Sequence, residues 1–434
     1  MKALNRRQLL KQSAVLAGAG VASTLGFSSN KAWSQTSTGR NLILIFCSGG
    51  WDPAMVFDPK DLSNPNVKMP SGNLVTEGDF TYFDADLTSG SVRSFFDAHR
   101  DVSSIIRGIT VRSISHNGCT KRFLTGTASE TAPDFGVLAA HTHGASLPVP
   151  YMVLGSSSFV GPYGASSGRV GFNNQLISLL EDESAYPASP SWPYTQPHFS
   201  PSVSDEDQIQ AFLQARAERM RAQRGQFGAN KKALDDYLTS QTKKVALKEN
   251  RDRVGELDFF TSLSTQMERA IGLIENDVAW AVNVDTNLQW DSHTGNENSQ
   301  GGSFQSLFDA LKELIDQLKA KDGRETGNKM IDETTVAVIS EMGRTPQVNG
   351  QNGKDHWGYT SALLIGSGVQ GGTVYGGTDD SMIAAPVDFS TGALDDNGVI
   401  VETEHFVAGL LELLGVDSSL HFDDVTPFAP FIAG

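Results

Sequence analysis

The run Asn41-Leu42-Ile43-Leu44-Ile45-Phe46, followed by Cys47-Ser48-Gly49-Gly50-Trp51-Asp52, decides the fold. An apolar run without alternation is covered on both faces, as in a central strand of a sheet layered by helices. The glycine pair then turns the chain and leaves Asp52 at the sheet edge, where a carboxylate can bind a cation. Short apolar, β-rich runs recur at 102–106, 150–154, 279–284, Thr334–Ile339 and 361–365, several of them separated by helical stretches such as 91–100, 304–321 and 404–414. This alternation predicts an α/β fold with a mainly parallel central sheet flanked by helices. Ligands then belong at the carboxyl ends of the strands.

Two stretches depart from the rhythm. Residues 155–203 are rich in Ser, Pro, Gly and Tyr and read as a loop-rich surface excursion. Residues 205–277 are charged and periodic, with Ile209, Phe212, Leu213, Ala217 and Met220 on one face, then Leu257, Phe260, Leu263, Met267, Ile271 and Ile274 on another. They read as a helical insertion on one α/β domain spanning 35–434, and the stripes as packing surfaces.

Ahead of that domain, residues 1–34 carry Lys2, Arg6, Arg7, Lys11 and Lys31 and no acid, then a weakly apolar run from Ser13 to Phe27 and a small-residue site at Ala32-Trp33-Ser34. The pattern is that of a signal peptide, too short in its apolar part to span a bilayer. Asn5-Arg6-Arg7-Gln8-Leu9-Leu10-Lys11 is similar to the twin-arginine consensus, which points to the twin-arginine export machinery and a periplasmic or secreted chain. The net charge of −16, made more acidic still by removal of the leader, repels a phosphate backbone and excludes nucleic acid as the expected partner. Two cysteines, Cys47 and Cys119, exclude a disulfide scaffold and a four-cysteine zinc module.

The chain lacks a Gly-x-Ser-x-Gly elbow, a phosphate loop, a His-Glu-x-x-His helix and a Cys-x-x-Cys pair. What it carries instead is a series of acid and histidine loops, most of them close behind a predicted strand. Asp52 is the first. Ser115-His116-Asn117-Gly118-Cys119-Thr120-Lys121-Arg122 enters a predicted helix whose free N–H groups suit an anion, with Ser115 as cap. Trp290-Asp291-Ser292-His293 places a carboxylate and an imidazole where they can ligate one ion together. Ser340-Glu341-Met342-Gly343-Arg344-Thr345-Pro346 follows a strand directly, and Gly353-Lys354-Asp355-His356-Trp357-Gly358 comes soon after. Together these loops predict a polar, metal-capable cleft on one edge of the sheet. The other histidines, including His141 and His143 on a predicted helix, read as structural.

These residues resemble the domain-of-unknown-function 1501 family, placed within the alkaline phosphatase and sulfatase superfamily. The resemblance runs from about Asn41 to the carboxyl terminus and is most specific at W-D-S-H (Trp290 to His293), S-E-M-G-R-T-P (Ser340 to Pro346), D-H-W-G (Asp355 to Gly358) and the closing run that ends L-L-E-L-L-G-V. It implies an alkaline phosphatase-like fold in which Asp52, Asp291, His293 and His356, with Asp355 nearby, meet one or two divalent ions. Two departures stand out. Met342 replaces a superfamily histidine or asparagine ligand, and counting back nine residues from Thr125 of the Leu-Thr-Gly lands on His116, not on Cys119 or Thr120, so no nucleophile is assigned.

The expected function is an exported, metal-dependent hydrolase of phosphate or sulfate esters acting on a small-molecule or glycan substrate. Asp52, Asp291, His293, Glu341, Asp355 and His356 are the metal-site candidates for Zn, Ca, Mg or Mn. His116 is the candidate nucleophile or acid, with Arg122 and Arg344 neutralising substrate charge. The competing class is a secreted binding or structural protein that keeps the fold and a structural ion without catalysis. A redox protein using Cys47 and Cys119 requires exposed, adjacent sulfurs.

Overall fold

The computed structural model describes residues 40–155, 157–170, 203–249 and 262–434. The leader 1–34 and most of the loop-rich stretch 155–203 lie outside the described residues, as do Leu257 and Phe260. Among the described residues no helix is long and apolar enough to cross a membrane.

The strands are β1 (Asn41–Phe46), β2 (Gly72–Glu77), β3 (Phe80–Ala85), β4 (Ser103–Thr110), β5 (Tyr151–Leu154), β6 (Ser167–Val170), β7 (Ala281–Asp285), β8 (Thr334–Ile339), β9 (Gly343–Arg344), β10 (His356–Trp357), β11 (Tyr359–Gly366) and β12 (Thr373–Gly376). Eight of them form one sheet in the order β12-β4-β11-β8-β1-β7-β5-β6. Strand β1 lies at its heart, parallel to β7 with Leu42 opposite Ala281 and parallel to β8 with Leu42 opposite Thr335. Every strand of this sheet runs in one direction except β11, which is antiparallel to both β4 and β8. The sheet is therefore mostly parallel, as the unalternating runs predict.

The helices are α1 (Ser91–His99), α2 (His116–Thr125), α3 (Phe135–His143), α4 (Val203–Arg224), α5 (Gly228–Glu249), α6 (Leu263–Glu275), α7 (Asn296–Ala320) and α8 (Thr403–Leu413). Because side chains alternate along a strand, β1 sends Ile43 and Ile45 into one core layer and Leu42, Leu44 and Phe46 into the other. The first layer is closed by Phe95 and Phe96 of α1, Met267, Ile271 and Ile274 of α6, and Phe304, Phe308 and Leu311 of α7. The second is closed by Phe123 and Leu124 of α2, Val137 of α3, and Phe406, Leu410 and Leu411 of α8. Burial of these side chains at roughly 1.5–3 kcal/mol each is what holds the helices to the sheet.

The periodic stretch 205–277 divides on folding. Helix α6 belongs to the core layer, with Met267 and Ile271 about 1% exposed. Helices α4 and α5 pack on each other, and there the apolar stripe stays largely open: Ile209 is 47% and Phe212 58% exposed, while Ala217 is buried.

Candidate metal centre

The site lies where β1 is flanked by β7 on one side and β8 on the other. Such a point opens a crevice at the carboxyl ends of the strands. The loop after β1 supplies Gly49 and Gly50, the loop after β7 supplies Asp291 and His293, the loop after β8 supplies Glu341, and the short strand β9 that follows supplies Arg344. Helix α2, following β4, brings His116 at its first residue, with Ser115 capping it through a bond from Gly118 N at 3.3 Å. Because β11 runs against the others, its entry lies at this same edge, which is why Asp355 and His356 arrive there just before Tyr359.

Asp291 is the hub. Its Oδ1 lies 3.2 Å from His293 Nε2 and 3.4 Å from His356 Nε2, and its Oδ2 lies 3.5 Å from His116 Nε2. Ligand atoms of His116, Asp291 and His356 all fall within 4.8 Å of one another. His293 Nε2 and His356 Nε2 face each other at 3.0 Å.

Each ring is anchored from behind through its other nitrogen. His116 Nδ1 meets Glu341 Oε1 at 2.9 Å, His293 Nδ1 meets Asp355 Oδ1 at 2.8 Å, and His356 Nδ1 meets the Ile114 carbonyl at 2.7 Å. A carboxylate or carbonyl only accepts, so each Nδ1 carries the hydrogen and a neutral ring turns the lone pair of Nε2 inward. Imidazoles that ligate metals are oriented by this kind of partner. The result is acceptor facing acceptor, which is stable only with a proton or a cation between them.

Charge points the same way. Asp291, Glu341 and Asp355 carry three formal negative charges against the single guanidinium of Arg344. Burial pushes the Asp291 carboxyl upward, yet the Arg344 hydrogen bond and the charges of Arg344, His116 and His293 hold it below the ordinary range. The bonds from His293 and Asn349 likewise lower Asp355. His116 is held above the usual imidazole value, first by its bond to Glu341, with burial opposing and the charges of Glu341 and Asp291 adding to the rise.

Glu341 is fully buried and accepts from Gly49 N at 2.9 and 3.1 Å and from Ser340 Oγ at 3.3 Å, besides holding His116. Gly49 is required there. At φ +130 its backbone suits glycine, and a Cβ would lie 2.8 Å from Asp291 N.

The structure redistributes several of the sequence-derived roles. Arg344 is fully buried and spends its donors inside: Nε on Gly50 O at 2.9 Å, Nη1 on Lys354 O at 3.1 Å, and Nη2 on Gly49 O and on Asp291 Oδ1 at 2.7 Å. It holds Asp291 and the turn after β1. Arg122 lies half-buried along α2, near enough for its charge to act on Cys119, and no ion pair to it occurs among the described residues.

Asp52 is drawn elsewhere. Its Oδ2 sits 2.7 Å from Lys354 Nζ, an ion pair out of line for a hydrogen bond, and accepts from Asn296 Nδ2 at 2.9 Å, with both charged partners buried. These residues border a separate cavity of about 280 Å³ beside the start of α7, also lined by Lys68 and Met69. The sequence contained this partner, since Lys354 directly precedes Asp355, but its flanking position gave no sign of the pairing.

Met342 packs in the second core layer and takes no part in the cluster. Cys47 and Cys119 are free, fully buried thiols in opposite layers. Burial pushes Cys47 well up and Cys119 to about 11, removing the exposed, adjacent sulfurs that a redox role requires.

Fold and site together define an α/β protein with an imidazole and carboxylate centre at the carboxyl edge of a mostly parallel sheet. The chain belongs to the family described as "Protein of unknown function (DUF1501)", which matches residues 39–424. No curated protein matches it. Among solved structures it is similar to a protein in the alkaline phosphatase superfamily from Vibrio parahaemolyticus, 9% identical with a TM-score of 0.33 over 87% of this chain and 67% of that one. It is also similar to a phosphonate monoester hydrolase from Silicibacter pomeroyi, 11% identical with a TM-score of 0.35 over 91% of this chain and 77% of that one. The lipoteichoic acid synthase of Listeria monocytogenes is 10% identical, with a TM-score of 0.36 over 91% and 75% of the two chains.

Proposed function

We propose that this protein is a metal-dependent hydrolase of phosphate or sulfate esters. The observation that carries the reading is the convergence of three Nε2 atoms, from His116, His293 and His356, on the Asp291 carboxylate, each ring anchored through Nδ1. The donor set fits an ion. Ligands arranged tetrahedrally at about 2.0–2.1 Å from a metal stand about 3.3 Å apart; Asp291 Oδ1, His293 Nε2 and His356 Nε2 lie 3.0–3.4 Å from one another, and His116 Nε2 lies 3.5 Å from Asp291 Oδ2. A divalent ion there would polarise an ester oxygen and neutralise the negative charge on the phosphoryl or sulfuryl oxygens.

The residues around it have separable tasks. His116, Asp291, His293 and His356 would hold the ion. Glu341, Asp355 and the Ile114 carbonyl fix ring orientation, and Arg344 fixes the carboxylate. The mouth is accessible, Asp291 being 48% and His293 44% exposed at the side chain, so a small-molecule or glycan ester can approach. Export through a twin-arginine leader, and hence action in the periplasm or outside the cell, forms part of the reading and rests on the basic leader sequence.

A second reading has its own support. Ser115 is occupied as a helix cap and Cys119 is buried, so neither is offered as a nucleophile. A binding protein holding a structural ion fits that observation. Metal-loaded protein screened against phosphate monoesters, phosphate diesters and sulfate esters separates the two. Turnover that disappears in Asp291→Ala/His293→Ala supports the hydrolase. Full activity in that double variant overturns it, and bound metal without turnover on any ester class transfers support to the binding reading.

A further inference from the structure

We propose that helix α4 is a dimerisation surface, on which a second copy of this chain lays its own α4 antiparallel about a two-fold axis passing between Gln214 and Ala215. The inference rests on the α4–α5 hairpin and on none of the residues of the site.

The hairpin is anchored through α5. Leu247 is buried in the first core layer, and Lys232 Nζ donates to the Pro162 carbonyl at 3.3 Å. Helix α4 packs on α5; Ala217 is buried, and at Gly225, just past the end of α4, a Cβ would lie 2.7 Å from Leu234 of α5. At about 100° per residue, Ile209, Phe212, Leu213, Arg216 and Met220 fall in one stripe along about three turns of α4. Ile209, Phe212 and Met220 all stay exposed, and Phe227 follows at the turn, 84% exposed. Single apolar side chains are ordinary on a surface, whereas a continuous apolar stripe rimmed by charge marks an interaction site.

The charges of α4 select the occupant. Residues 203–213 carry three acids and no base, and residues 214–224 carry four arginines and Glu218, for net charges of −3 and +3. The macrodipole favours that order within one helix, but it leaves the apolar stripe uncovered. A second α4 laid antiparallel sets the acidic half of each copy against the arginine half of the other, and a parallel one would set like against like. The same axis puts Ile209 against Met220 of the second copy, and Leu213 against Arg216, whose methylene stem can cover apolar surface. A surface hollow of about 460 Å³, lined by Arg221, Ala222 and Lys231, lies where the axis brings positions 205–208 of the second copy; Arg221 and Lys231 share Asp235 there. Such an interface is isologous and closes at two copies.

The test is sedimentation velocity of the full chain over a range of concentrations. The expected result is a monomer–dimer equilibrium with a Kd on the order of micromolar, since one helix pair sits at the low end of specific interfaces, and a dimer that weakens as salt screens the charged halves. Phe212→Glu/Met220→Glu, at two exposed positions, keeps the native circular dichroism and weakens the dimer at least roughly 100-fold. Ile209→Cys/Met220→Cys forms an interchain disulfide on oxidation, because about 16 Å of helix keeps the two sulfurs apart within one chain; Ile209→Cys alone does not. A dimer indifferent to salt or to Phe212→Glu/Met220→Glu, or cross-linking by Ile209→Cys alone as fast as by the pair, overturns the inference. A monomer at every concentration also overturns it and leaves the face to another occupant.

Discussion

Asp52 and Asp291 occupy comparable places, in the loops that leave two adjacent parallel strands, and they have opposite fates. Asp52 is 1% exposed and finds an ammonium, from Lys354, inside the protein. Asp291 is half exposed and gathers three imidazole Nε2 atoms within 3.5 Å. A carboxylate after a strand is therefore an opportunity, and the neighbour that reaches it decides the outcome. An internal lysine neutralises Asp52, whereas Asp291 stays open to the surface beside three imidazole rings. Asp134 shows a third outcome. Buried as the cap of α3, it accepts from Val137 N at 2.8 Å, Phe159 N at 2.9 Å and the Tyr151 hydroxyl at 3.3 Å, and burial pushes its pKa from 3.8 up to about 6.

This contrast can be broken experimentally, starting with its largest consequence. Lys354→Met strands the Asp52 charge in the interior, for which a loss of about 3–5 kcal/mol is expected. Asp52→Asn/Lys354→Met removes both charges and recovers most of that loss. Urea unfolding measures both variants, and a Lys354→Met effect below about 1 kcal/mol would mean the pair is not what neutralises Asp52. Asp134 is expected to show the next largest effect. Its folded pKa lies above its unfolded one, so the native state holds the proton more tightly, and stability from this group is complete below about pH 4 and is lost as pH rises through about 6. The span is about 3 kcal/mol, and Asp134→Asn removes that slope. Identical pH dependence of unfolding in wild type and variant would contradict the assignment.

A smaller effect is expected at Asp355, which lies behind the His293 ring at Nδ1. Asp355→Asn keeps a hydrogen-bond acceptor but loses the charge behind the ring, so affinity for the proposed divalent ion falls by roughly 10–100-fold without a change in stoichiometry. Calorimetric titration reads both quantities, and loss of the whole equivalent would make Asp355 a ligand. No effect at all is expected at the thiols. Cys47 and Cys119 stay unlabelled by a thiol reagent in the native protein and react only after unfolding, because neither sulfur is exposed and burial raises both pKa values. Rapid native labelling of either would reopen the redox reading.

Much of the frame was legible because burial on both faces leaves a mark in the sequence. The runs Asn41–Phe46 and Thr334–Ile339 fold as strands with those same limits. Edge and peripheral strands left weaker marks: β12 is four residues long, and the β2–β3 hairpin carries polar residues such as Asn73, Thr76, Thr81 and Asp84. The direction of β11 was not legible either, since an apolar run has no polarity of its own. That reversal nevertheless delivers Asp355 and His356 to the site. Within the site, the acid and histidine loops converge on one edge of the sheet, but residue type did not separate a ring facing Asp291 from the acid hydrogen-bonded behind it. In the structure Glu341 and Asp355 meet the Nδ1 atoms of His116 and His293, His116 turns Nε2 toward Asp291, and Arg344 is buried against Asp291. Lys354 carried no signal, because a buried ion pair between positions far apart in sequence has no local pattern.

The most direct test of the central claim is a paired measurement on Asp291→Asn and on Asp52→Asn/Lys354→Met, each checked for native circular dichroism: tightly bound metal per chain, read together with hydrolysis of the phosphate and sulfate ester panel. The account predicts that the Asp291 variant loses both the ion and turnover, while the Asp52/Lys354 variant retains its ion. An Asp291→Asn protein that still binds one equivalent and hydrolyses ester at the wild-type rate would contradict it.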